Sequence, residues 1–172
     1  GVSAGRGIVV VTGEVGAGKT TIVRTVVAEQ DPSRLALAQI VSTQLEAEEL
    51  KRAILIAFGA PSDDPAQTDL GAALRRHLAL LAKERRRAVL IIDEAQNLHM
   101  DSFHWLLTLV GTPTTQGGPV QLCLVGQPEL RALVESPELR TLREQVGTSC
   151  HLGPLDAVET GEYIEHRLRK VG

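Results

Sequence analysis

Residues 13–20 read GEVGAGKT, a G-x-x-x-x-G-K-[ST] spacing set directly after the β-branched run Ile8-Val9-Val10-Val11 and directly before a segment able to form a helix. Gly13, Gly16 and Gly18 let such a backbone turn with its N–H groups pointing inward, and a following helix adds the positive end of its dipole, so the loop favours a polyphosphate anion. Lys19 is placed to reach the β- and γ-phosphates as a catalytic group, and Thr20 to offer its hydroxyl to Mg²⁺. The candidate nucleotide contact comprises Gly13, Glu14, Val15, Gly16, Ala17, Gly18, Lys19, Thr20 and Thr21. The competing explanation is a Gly-rich structural turn, which the strand-then-helix context disfavours.

Residues 88–94, AVLIIDE, form an unbroken apolar run ending in two carboxylates. Such a run suits a strand buried on both faces, and open α/β sheets bind ligands at the C-terminal edge of their strands. Asp93 is the candidate Mg²⁺ ligand. Glu94, one residue on, is the candidate that polarises a water attacking a γ-phosphate. The alternative for this pair is a helix N-cap.

The elements that must position these groups alternate. Strand candidates fall at 8–12, 35–41, 88–92, 120–126 and 148–152, and helix candidates at about 18–29, 46–58, 69–84, 101–110, 128–135 and 156–171, a pattern that implies a mostly parallel sheet covered by helices. In 69–84, Leu70, Leu74, His77, Leu78 and Leu81 share one face and Thr68 is placed to cap the start. His77 on that face reads as a satisfied core or boundary histidine. A second stripe, Phe103, Leu106, Leu107 and Val110, leaves Trp105 pointing elsewhere, to a partner surface or under a loop. Residues 21–27, TIVRTVV, favour a strand by propensity, whereas the phosphate loop demands a helix there; we side with the loop. Stretches 59–68 and 111–119 read as loops.

With 172 residues, 43% hydrophobic and 23% charged at net charge −3, the chain can bury a sizeable core and is neither disordered nor a polyanion binder by bulk charge. It has no apolar run of about 18 residues and no signal peptide pattern, which points to a cytoplasmic protein without a membrane span. Cys123 and Cys150 lack metal-ligand spacing and read as buried core thiols in a reducing compartment.

Joined to the segments downstream of them, the motifs become specific. VVVTGEVGAGKTT, VLIIDEAQNL, QLCLVGQPELRALVESPELRTLRE and HLGPLDAVETGEYIEHRL together resemble the AAA+ ATPases of the ExeA/GspA type, the general secretion pathway protein A group, over almost the whole chain. The resemblance implies a P-loop NTPase of the AAA+ (ASCE) class: a three-layer α/β/α sandwich on five mostly parallel strands, binding and hydrolysing ATP with Mg²⁺. It places a polar sensor residue after the fourth strand, and Gln127 is the candidate, its amide orienting the attacking water or the γ-phosphate. The alternative for Gln127 is a simple helix entry before Pro128. The family also carries a Gln-Arg pair whose arginine is proposed to complete a neighbour's site; Glu144-Gln145 stand there instead, and a commonly basic position is Ser149. Arg140 and Arg143 remain nearby, so turnover is expected to be slow or partner-dependent. Leu109 and Gly111 replace a family Asn-Leu-Glu-Thr pattern, which weakens any catalytic role for that segment.

The resemblance divides the chain into an ATPase core, residues 1–153, and the start of a small lid at 154–172, a helix that Asp156 and Glu159 would cap and that buries Ile164, Leu168 and Val171. Both ends read as cut, with most of the lid beyond Gly172. It further implies a homo-oligomeric motor or switch serving a secretion or envelope-assembly partner, held at the inner membrane only through other regions. Two alternatives stand beside it: a DNA-associated transposition-helper ATPase related to TniB, TnsC and MuB, or a nucleotide-dependent scaffold. For duplex DNA the contact would be the basic cluster Lys83, Arg85, Arg86 and Arg87, with Arg75 and Arg76 upstream; a solvated helix end is the plainer explanation of that run.

Overall fold

A computed structural model of the chain describes residues 7–28, 30–42, 44–60, 69–110 and 120–153. Thr68, Gly111 and residues 154–172, where the start of a lid and an Asp156–Glu159 cap are expected, lie outside them.

The expected strands form. β1 (Ile8–Gly13), β2 (Leu35–Val41), β3 (Arg87–Asp93), β4 (Gln121–Gly126) and β5 (Val146–Leu152) make one sheet in the order β2-β3-β4-β1-β5. Every pairing in it is parallel, with Val10 opposite Leu124 and Ser149, and Leu90 opposite Ala38 and Leu122. The helices are α1 (Lys19–Ala28), α2 (Ala47–Ala57), α3 (Leu70–Lys83), α4 (Met100–Val110), α5 (Pro128–Glu135) and α6 (Arg140–Gln145). Segment 21–27 is helical despite its β-branched side chains, so tertiary context overrides propensity there. Periodicity showed no sign of α6, a single short helix reached through a 3-10 turn at Pro137–Leu139.

Strand alternation splits the apolar residues between two faces. Ile8, Val10, Ala38, Ile40, Leu90, Ile92, Leu122 and Leu124 face α2 to α6, whose Leu50, Ile54, Leu74, Phe103, Leu106, Leu130 and Leu142 are almost fully buried against them. The opposite face buries only Val11, Ile91 and Val125, with Val23 and Val27 of α1 packed over them. The three-layer sandwich is therefore asymmetric among the described residues. Leu37, Val41, Ile22 and Val26 stay exposed on the α1 side.

In α3 the buried stripe is Leu70, Leu74, Leu78 and Leu81, as the spacing predicts, but Asp69 is the N-cap and its carboxylate accepts from Ala72 N–H at 3.1 Å. His77 is half-buried with its ring 6.5 Å from that of Phe58, and its Nε2 is buried with no hydrogen-bond partner among the described residues, so the expectation of a satisfied histidine is not met. In α4 the buried residues are Ser102, Phe103, Leu106 and Leu109; Leu107 and Val110 are only partly covered. Trp105 is half-buried and packs against the main core, with Lys51 Nζ 5.6 Å from its ring centroid.

Cys123 is partly buried and Cys150 is exposed, which corrects the expectation of two buried thiols. Cys123 and Cys150 both lie on the α1 face, opposite Val9 and Val11 of β1. β4 is interior to the sheet, whereas β5 is its edge, and Gly147 to His151 are all exposed. The end of the sheet where β2 and β3 begin carries exposed Arg34, Lys83, Arg85 and Arg87, Arg85 in the left-handed region at φ 58. Arg34 pairs with Asp31, and Arg86 donates to the Leu35 carbonyl and pairs with Glu84.

Candidate nucleotide site

The sheet order sets the site. β4 lies between β1 and β3, so the loops leaving all three strands meet at one C-terminal edge, the place where open α/β sheets bind ligands.

Gly16 and Gly18 hold φ of 83 and 76, and a residue with a side chain would be strained at both. Gly13 serves differently from the expectation: a Cβ there would stand 2.5 Å from the Leu152 carbonyl oxygen, so it is the close approach of β5, not a left-handed turn, that requires glycine. His151 reinforces that seam, its Nδ1 3.0 Å from Thr12 Oγ1. Glu14, Val15 and Gly16 are exposed at the loop tip, Val15 to 78%, while Ala17 is buried and Gly18 and Thr21 are half-buried. Lys19 is buried, and its ammonium donates to the carbonyls of Gly13 and Glu14, both at 2.7 Å. A buried cation whose partners are neutral carbonyls carries uncompensated charge, which suits an anion bound in the loop.

From α1, Thr20 Oγ1 donates to Asp93 Oδ2 at 2.5 Å, joining residues 73 positions apart. Asp93 is buried, and its second oxygen accepts from Glu94 N–H at 3.0 Å. Its carbonyl takes the Ser42 N–H at 2.9 Å, tying the end of β2 to the same point. The donor set that Thr20 and Asp93 provide is all oxygen with a single carboxylate. Mg²⁺ suits such a site, because it keeps several waters and binds through one or two carboxylates plus substrate phosphates. Among the described residues no cluster of three or more His, Cys, Asp or Glu side chains could hold a metal by itself.

Glu94 does not cap a helix by its side chain. It has φ 53 and ψ 39, a left-handed conformation costing roughly 1–3 kcal/mol for a residue with a Cβ, and starts a 3-10 turn at Ala95–Asn97. Its carboxylate accepts at Oε2 from Gln96 Nε2 at 2.5 Å and from Gln127 Nε2 at 3.2 Å. Gln127 is also the N-cap residue before Pro128 of α5, the helix entry that was its alternative, although its side chain makes no cap hydrogen bond. Gln96 was missed by sequence reasoning. The D-E-A-Q spacing and the glycine at 126 were the signals that could have found it.

Arg140 and Arg143 are not brought to this site. Arg140 pairs with Glu144 at 2.9 Å and Arg143 donates to the Glu135 carbonyl at 3.2 Å. Their helix leads into the first residue of β5, whereas the phosphate loop succeeds the last residue of β1, beside Leu152. With Arg131 and Glu135, Arg143 flanks a cavity of about 260 Å³ floored by Val10, Val134 and Val146.

Residues 2–134 match the AAA domain family. Over 173 aligned residues, the whole of this chain, it is 35% identical to general secretion pathway protein A of Aeromonas hydrophila, and spans 31% of that protein's length. The ORC2 protein of Aeropyrum pernix, in its ADPNP–ADP complexes, superposes with a TM-score of 0.75 at 18% identity, over 94% of this chain and 45% of that one. Cdc6p of Pyrobaculum aerophilum gives 0.70 at 16% identity over 95% and 43%, and a Walker-type ATPase of Pyrococcus abyssi gives 0.60 at 16% over 96% and 54%. The structural likeness is one of fold, and the sequence match carries the family: the chain belongs to the AAA+ ATPases of the ExeA/GspA type.

Proposed function

We propose that this chain is an ATP-hydrolysing core, the motor or switch of a homo-oligomeric cytoplasmic ATPase that couples nucleotide state to a secretion or envelope-assembly partner. The observation that carries the chemistry is the convergence of Lys19, Thr20, Asp93, Glu94 and Gln127 from three adjacent strands. In this reading the residues Gly13 to Thr21 wrap the phosphates, with inward N–H groups of the loop and the start of α1 supplying positive potential. Lys19 exchanges its two carbonyl partners for β- and γ-phosphate oxygens. Thr20 and Asp93 would hold Mg²⁺, which when bound neutralises charge on the phosphates. Glu94 accepts the proton of the attacking water, and Gln127 orients Glu94.

The experiment is Glu94→Gln, which keeps size and hydrogen-bonding capacity but removes the base. It should bind ATP in the presence of Mg²⁺ with parental affinity and turn it over at least about 100-fold more slowly. Turnover equal to the parent's would remove Glu94 from the role. The secretion partner rests on the relationship to general secretion pathway protein A, of which this chain spans under a third. No helix among the described residues is long and apolar enough to cross a membrane.

A second reading, a DNA-associated ATPase, draws on the exposed Lys83, Arg85, Arg87 and Arg34 at the opposite end of the sheet. Duplex binding that weakens steeply with salt, and is lost on substituting those four, would favour it over the first.

A further inference from the structure

Gln96 stands at the centre of a closed ring of hydrogen bonds. Its side-chain nitrogen donates to Glu94 Oε2 at 2.5 Å, its side-chain oxygen accepts from Gln127 N–H at 3.1 Å, and the Gln127 side chain returns to the same Oε2 at 3.2 Å. The ring joins the end of β3 to the end of β4. It needs a residue without a side chain at 126, where a Cβ would lie 2.5 Å from Gln96 Oε1. An amide carries its donor and its acceptor on separate atoms of one planar group, so Gln96 donates to the carboxylate through nitrogen and accepts from the backbone through oxygen at once.

We infer that Gln96 is a positioning residue that fixes the Glu94 carboxylate and decides which of its two oxygens receives the proton. This rests on the reading of Glu94 as the base. The terminal torsion of a glutamate is broad and two-fold, so an unheld carboxylate presents either oxygen over a wide range of angles. Here both side-chain amides engage Oε2, and Oε1 has no hydrogen bond among the described residues. Oε1 is thus the acceptor. As the water oxygen bonds to the γ-phosphorus and the bond from that phosphorus to the bridging oxygen breaks, the electron pair leaves with ADP. The water's proton passes to Oε1, and is later released with phosphate. Misplacement of a base by about 1 Å can cost on the order of 100-fold in rate, whereas the phosphate-binding groups are untouched by it.

The test uses the intact chain with ATP and Mg²⁺. Gln96→Glu keeps the shape and the acceptor toward Gln127 N–H but sets a second carboxylate against Glu94. Gln96→Met keeps the approximate volume and removes both hydrogen bonds. Both should bind ATP within about twofold of the parent by calorimetry and lose kcat by about 10- to 100-fold. In a Glu94→Gln background, Gln96→Met should cost no more than about a further twofold, because the group through which Gln96 acts is gone. Parental kcat in Gln96→Glu, a loss of ATP affinity equal to the loss of kcat, or full additivity in the double variant would each overturn the inference while leaving the proposed function standing. Parental turnover in Glu94→Gln alone would instead overturn the proposed function and take this inference with it.

Discussion

Lys19 is a buried ammonium whose two partners are backbone carbonyls of its own loop, so its neighbours could be read from one stretch of sequence, whereas Gln96 left only the D-E-A-Q spacing and Gly126 as signals. A phosphate cradle is built by contiguous backbone, so its requirements, a positive φ at Gly16 and Gly18 and a charge at their end, are written in one short run of consecutive residues. Removing that charge with Lys19→Ala should weaken ATP binding by on the order of 10- to 1000-fold without lowering the melting temperature by more than a few degrees. Equal calorimetric affinity in variant and parent would remove Lys19 from the site. Gln96, by contrast, acts through the ends of two different strands. Its partners Glu94 and Gln127 are 33 positions apart, and only the register of β3 on β4 brings them together. The same limit explains Gly13: its spacing was legible, but its reason, the carbonyl of Leu152, comes from the far end of the chain.

At the scale of the element, periodicity revealed strands and long helices, and failed where position in the sheet or brevity decided the outcome. α6 has a single buried residue, Leu142, too little for a stripe. Cys123 and Cys150 looked alike because each sits in a strand, but one strand is interior and the other is the edge. Burial, with a smaller contribution from the Asp93 carboxylate, pushes the Cys123 thiol from 9.0 up to about 11. That value leaves a native thiolate fraction on the order of one in a thousand near pH 8, so an aromatic disulfide reagent should label Cys150 at once and Cys123 only on unfolding. Since the folded state holds this proton more tightly than the unfolded state, the associated stability is present below pH 9.0 and is lost as pH rises through about 11. The loss is on the order of 2–3 kcal/mol by the usual conversion. Denaturant titrations of the parent from about pH 8.5 to about pH 11.5 should show that decline, and Cys123→Ala should lack it. Rapid labelling of both thiols in the native protein would contradict the sheet assignment of Cys123.

For the molecule as a whole, the arrangement of the arginines matters most. The glycine loop leaves β1 at the Gly13–Leu152 end of the sheet, while α6, carrying Arg140 and Arg143, enters β5 at the Ile8–Val146 end. Both arginines are engaged locally, Arg140 with Glu144 and Arg143 with the Glu135 carbonyl. Neither of these two arginines reaches the phosphate loop, and at the position where the family resemblance puts an arginine that completes a neighbour's site, this chain has the neutral Gln145. An arginine supplied to a phosphoryl-transfer site is worth about 10³ to 10⁵ in rate, so the parent should bind ATP and hydrolyse it slowly. Gln145→Arg should raise turnover per subunit, and only at protein concentrations where light scattering shows association, because the added charge acts across an interface. Hydrolysis by the parent that is fast and independent of concentration would count against this arrangement. So would loss of that activity in Arg143→Ala, which would mean that Arg143 leaves its contact with Glu135 and already serves the neighbouring site.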